Sequence, residues 1–163
     1  MNEPSKQDIK YIQKCIQLSE ESYKHGDKPF ACLIVKNKEV LVKSLNKSIQ
    51  KTSDHAEILA MDKAMKLLGS KDLSQCILYS NCEPCPMCSF MIREYKIKKV
   101  IFAIRSSFMG GYTKWKILQD NKLSKCKPFF SSPPEVIPYV MEDEAKKVFD
   151  KAGLWMFGKD SVN

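Results

Sequence analysis

Two short stretches hold the residue types that could do chemistry together. They are His55-Ala56-Glu57 and, thirty residues on, Pro84-Cys85-Pro86-Met87-Cys88. One imidazole and two thiolates make three ligands for a metal ion, and the fourth position stays open for water. Mixed His and Cys ligation favours zinc over other thiolate-binding ions. The two-residue gap between Cys85 and Cys88 lets both sulfurs reach one ion. Glu57 stands beside the metal without being needed as a ligand. Zinc lowers the pKa of a bound water to about 7. A neighbouring carboxylate can take that water's proton and deliver it to a departing amine.

Each half alone says little; together they form the H-x-E…P-C-x-x-C pattern of zinc enzymes that deaminate cytosine or adenine. Two other readings compete. Cys82, Cys85, Cys88 and His55 would make a closed site that serves folding only. That reading leaves Glu57 without a role, and we expect Cys82 to be a strand-end residue that points elsewhere. Cys82-Glu83-Pro84-Cys85 also has the spacing of a redox pair, but the chain lacks the early βαβ order that accompanies one.

These residues need elements to hold them. Ser5-x-x-Asp8 reads as a capping box opening a helix to Lys24, with Gly26 as its stop. Phe30–Val35 and Val40–Leu45, joined through Asn37-Lys38, read as a hairpin. Asp54 is the expected N-cap of a helix that ends at Gly69 and carries His55 in its first turn. A third strand is expected at Cys76–Ser80, a short helix at Pro86–Glu94 and a fourth strand at Val100–Ile104. Helix starts favour thiolate, because their exposed N–H groups lower a cysteine pKa. Beyond Arg105 the signals thin out. Gly110-Gly111 and Pro133-Pro134 mark loops, with a helical turn expected at Trp115–Leu118, a short strand at Glu135–Ile137 and a last helix at Tyr139–Lys151. Helix, hairpin, then alternating helix and strand predict an α/β sandwich whose later strands run parallel.

The chain has 163 residues, 44% of them apolar, which suits one domain spanning residues 1–163. No apolar run is long enough to span a bilayer. The polar N-terminus lacks a signal-peptide core, so a cytoplasmic enzyme without membrane partners is expected. Seven cysteines without an export signal argue against a disulfide framework. Cys15, Cys32 and Cys76 sit in apolar stretches and read as small core residues. The net charge is +8, yet Arg93 and Arg105 are the only arginines. Specific phosphate grips favour arginine, so scattered lysines read as a solvated basic surface, and tRNA is a possible partner but not the favoured one.

The motifs resemble those of the cytidine/deoxycytidylate deaminase superfamily, more narrowly its guanine deaminase and tRNA-adenosine deaminase branch. The likeness runs from about Asp8 to Phe149 and includes Lys28–Val35, Asn46, Asp54–Ile58, Glu83–Cys88 and Lys99–Arg105. It implies a cytidine deaminase-like fold, a three-layer α/β/α sandwich with a five-stranded mixed sheet, and a homodimer. It also implies one zinc ion on His55, Cys85 and Cys88, with Glu57 as proton shuttle. Asn46 and Phe30 would line a base pocket, and the Ala56 N–H would hydrogen-bond the substrate. The implied reaction removes the exocyclic amine of a nucleobase or nucleoside, purine-type favoured, and releases ammonia. Adenosine-to-inosine deamination in tRNA is the alternative, and a non-catalytic zinc module the next. After Arg105 the resemblance lapses. Tyr112, Trp115, Trp155 and Phe157 could stack on a base there, although aromatics are more often core or interface residues.

Overall fold

A computed structural model describes residues 2–160. Helix α1 (Lys6–Lys24) opens on the expected capping box, with Ser5 and Asp8 bonded reciprocally. Strands β1 (Ala31–Lys36) and β2 (Glu39–Leu45) pair antiparallel. Asn37 and Lys38 both take positive φ at the turn, which matches the right-handed twist of the hairpin. Next come α2 (Ala56–Leu68), β3 (Cys76–Cys82), α3 (Pro86–Glu94) and β4 (Lys99–Ile104). β5 (Glu135–Ile137) and α4 (Glu142–Lys151) complete the order.

The sheet runs β2-β1-β3-β4-β5, with β3, β4 and β5 parallel and β1 antiparallel to both neighbours. Ile12, Cys15, Ala145 and Phe149 pack α1 and α4 on one face of the sheet. Ala56, Ala60, Ala64 and Ile92 pack α2 and α3 on the other. This is the mixed five-stranded α/β/α sandwich expected of a cytidine deaminase-like fold. Cys15, Cys32 and Cys76 are all buried. Among the described residues, no helix is long and apolar enough to cross a membrane.

Besides shifts of one or two residues at the ends of β1, β2, β3 and β4, three departures from expectation stand out. The N-cap of α2 is His55, not Asp54. The last helix begins at Glu142, because Tyr139 and Met141 both hold positive φ and cannot continue a right-handed helix. The turn expected at Trp115–Leu118 is a single 3₁₀ turn at Ile117–Gln119.

Candidate active site

His55 and Cys85 occupy the same local position: each is the N-cap of its helix, and neither side chain caps it. Pro86 at the start of α3 fits a position whose N–H would be unpaired anyway. Both side chains are thereby free to meet. The Cys85 and Cys88 sulfurs each lie 3.5 Å from His55 Nδ1. All three donor atoms fall within 4.8 Å of one another. Cys82 is not part of this cluster, but it does not point wholly elsewhere: buried at the end of β3 against the α1 and α4 layer, it also lines the cavity that His55 and Cys85 line.

The donors carry a charge pattern that suits a dication. A hydrogen bond from the Cys88 thiol, the His55 ring and the Cys88 backbone N–H bring the Cys85 pKa down to about 4 against the opposing pull of burial. The Cys88 thiol, as donor to Cys85 and buried, is pushed up. Two sulfurs beside one imidazole nitrogen therefore share protons that a divalent cation would displace. Glu57 lies in the first turn of α2, its Oε2 accepting from Cys88 at 3.6 Å and its Oε1 from the Ser80 hydroxyl at 3.3 Å. Burial, then the Cys85 charge, pushes its pKa up to about 7.

His55, Cys85 and Glu57 line a cavity of about 300 Å³, with Cys88 buried behind them. It opens beyond the carboxyl ends of β3 and β4, where ligands of parallel sheets collect. Phe30 and Asn46 stand on one wall and Ser106 and Met109 on another, while Leu154, Met156 and Phe157 come from the chain's C-terminal strap. Asn46 donates both of its amide protons within the protein, to Asp27 Oδ1 at 2.7 Å and Ser48 Oγ at 2.6 Å. Its carbonyl oxygen is what remains to offer a ligand. Ala56 is fully buried against the sheet, so α2 can offer a ligand only its first-turn N–H there. Of the aromatics singled out after Arg105, only Phe157 reaches the cavity. Tyr112 packs on Phe102, whereas Trp115 and Trp155 are exposed.

Sequence reasoning missed three residues. Asn81 on β3 accepts from the Ala31 N–H and donates to the Pro29 carbonyl, both at 2.8 Å, and so clamps both neighbours of Phe30. Buried Arg93, at the end of α3, donates to the carbonyls of Ile117, Asp120 and Ser131 and to the Ser124 hydroxyl; its Nε has no partner. Buried Glu83 accepts from the loop after β4. The only advance signal for Arg93 was an arginine in a lysine-rich chain, and Glu83 had none beyond its place in the motif.

Comparison with known proteins agrees with this geometry. The family model for the cytidine and deoxycytidylate deaminase zinc-binding region matches residues 5–104. A probable cytosine deaminase of Schizosaccharomyces pombe is 28% identical, over 96% of this chain and 98% of that one. A tRNA-specific adenosine deaminase of Bacillus subtilis is 30% identical, over 85% of this chain and 83% of its own. A solved guanine deaminase of Nitrosomonas europaea superposes with a TM-score of 0.68 at 18% identity, over 88% and 82% of the two chains. This chain belongs to the cytidine and deoxycytidylate deaminase family of zinc-binding, C–N-hydrolysing enzymes.

Proposed function

We propose that the protein removes the exocyclic amine of a free nucleobase or nucleoside, using one zinc ion held by His55, Cys85 and Cys88. The observation that carries this is the placing of Glu57, a buried carboxylate that lines a base-sized cavity beside a three-donor metal site. Zinc, when bound, supplies a Lewis acid that brings the pKa of a coordinated water to about 7. Glu57 takes a proton at one carboxylate oxygen and returns it to the leaving nitrogen. Water's oxygen first bonds to the amine-bearing carbon; the C–N bond then breaks, and ammonia departs without oxidation or reduction. The Ser80 hydroxyl, bonded to Oε1, orients the carboxylate. Phe30 offers the ring a flat apolar wall, the Asn46 oxygen accepts from a substrate N–H, and the Ala56 N–H donates to a ring acceptor.

Adenosine in tRNA is the second reading, favoured by the net charge of +8 and the Bacillus relative. Both arginines are engaged within the protein, however. Arg93 is buried, and Arg105 is bonded to Glu142 and Asp160. Any grip on phosphate falls to lysine. A homodimer belongs to the same proposal, because Phe90 and Trp115, 42% and 59% exposed, line one groove that a second copy would cover.

Ammonia release should be followed over adenine, guanine, cytosine and their nucleosides, with zinc content measured alongside. Turnover of one base or nucleoside by the zinc-loaded protein is expected. Silence across the panel with inosine appearing in tRNA would overturn the first reading in favour of the second.

A further inference from the structure

Glu83 is 3% exposed. Among the described residues it pairs with no lysine or arginine. A buried carboxylate without a cation must fill its acceptor sites with donors. Here they all come from one loop. The Ser106 N–H reaches Oε2 at 2.8 Å, while the Tyr112 and Thr113 N–H groups reach Oε1 at 3.0 and 2.7 Å. The Thr113 hydroxyl adds a bond of 2.9 Å. The approach is so close that a Cβ on Gly110 would lie 1.9 Å from Oε1, and one on Gly111 would lie 2.0 Å from Ser89 Oγ. The Gly111 N–H also bonds the Pro84 carbonyl at 2.8 Å. One turn therefore carries Cys85 and anchors the loop at once.

The loop in turn holds the C-terminal strap. The Ser107 hydroxyl donates to the Lys159 carbonyl, and the Phe108 ring sits 6.4 Å from that of Trp155. Immediately before the loop, the Arg105 carbonyl accepts from the Gly158 N–H at 3.0 Å. Loop and strap then supply Ser106, Met109, Leu154, Met156 and Phe157 to the cavity.

We propose that Glu83 is a positioning residue, its carboxylate fixing the 106–113 loop and, through that loop, the 154–160 strap as the walls that face the substrate. Glu83 borders the cavity itself, but it is not one of the three metal donors, and its oxygens are already taken by the loop. Its effect should therefore fall on fit and not on the chemical step. Only the kinetic part of this proposal rests on the deaminase reading.

The test compares the zinc-loaded full chain with E83Q, E83D, T113V and S107A by hydrogen–deuterium exchange, zinc content and steady-state kinetics. Glu83→Gln puts an amide donor against backbone donors. Exchange in 106–115 and 154–160 should quicken by about tenfold or more, with α2 and β3 unchanged and zinc retained. E83D, which keeps the carboxylate, should restore part of the protection. T113V, nearly isosteric, should loosen the loop less, and S107A should loosen the strap alone. With whichever base the ammonia panel yields, E83Q should raise KM about tenfold while kcat moves by less than about threefold. Unchanged exchange in the strap would overturn the proposal. So would a fall in kcat at constant KM, or zinc loss in E83Q while T113V behaves as wild type. Exchange and metal content read the clamp without turnover, so a silent ammonia panel would count against the deaminase reading and not against Glu83.

Discussion

Two sides of one cavity are built in opposite ways. On the first, α2 and α3 each begin at a residue of the candidate metal cluster, so regular secondary structure aims His55 and Cys85 directly. On the second, Ser106 and Met109 line the cavity from the head of a stretch, 106–134, that contains only two 3₁₀ turns. It is shaped by side chains that reach in from elsewhere, Glu83 at one end of α3 and Arg93 at the other. The contrast separates reaction from fit. Reaction chemistry needs reproducible placement of a few atoms, which helix starts supply. A wall that meets variable ligands can be irregular, provided that its polar backbone is satisfied.

The sharpest way to break this division is at Glu57. Glu57→Gln keeps the shape and removes the proton acceptor, so ammonia release should fall about 10³-fold with zinc content unchanged. Activity that survives would mean that the metal side does not carry the proton transfer. Next in size is Arg93→Met. It strips four acceptors of a charged donor and should lower stability by about 3 kcal/mol, read from the urea midpoint. None of the residues that Arg93 bonds lines the cavity, so at temperatures where the variant stays folded any change should be a modest rise in KM passed through Ser106 and Met109, with kcat held. An equal loss in both would dissolve the contrast.

A smaller effect is expected far from either wall. Burial works to raise the Asp8 pKa, but hydrogen bonds from the Tyr79 hydroxyl and from Ser5 outweigh it and hold the carboxyl below its ordinary value of 3.8. A lowered folded pKa contributes stability above the unfolded value, and that contribution is lost as pH falls through the folded one. Asp8→Asn should cost about 1 kcal/mol at pH 7 and leave zinc and kcat untouched. The two proteins should converge in stability below about pH 4. Smallest of all, Cys126→Ser, at an exposed site, should shift stability by less than about 0.5 kcal/mol.

The first side was legible in sequence because its signals are local. Pro86 marks a helix start, Gly69 a helix stop, and apolar runs give β1, β3 and β4. The error at α2 is instructive. Asp54 has the better capping chemistry, but the N-cap position is His55, where no side-chain capping bond is made. The second side was illegible because its determinants act across distance. Glu83 bonds residues 23 to 30 positions away, and Arg93 residues 24 to 38 away. Nothing in the local composition of 106–134 announces a carboxylate or a guanidinium waiting under it. Tyr139 and Met141 show a related blindness, since a bulky residue at positive φ is held by its surroundings and not by its own preference.

Most of the grip exerted by Glu83 and Arg93 is on backbone: three N–H groups for one, three carbonyls for the other. Main-chain groups are common to nearly every residue. Gly110, Gly111, the hydroxyls of Ser107, Thr113 and Ser124, and the packed side chains of Tyr112, Ile117 and Leu118 are fixed by their contacts, but the rest of the segment can exchange its side chains without losing its moorings. The scaffold thus tolerates turnover beside the cavity while the His55, Cys85 and Cys88 corner stays untouched. Such a fold can acquire a new clientele by local drift, without rebuilding its catalyst.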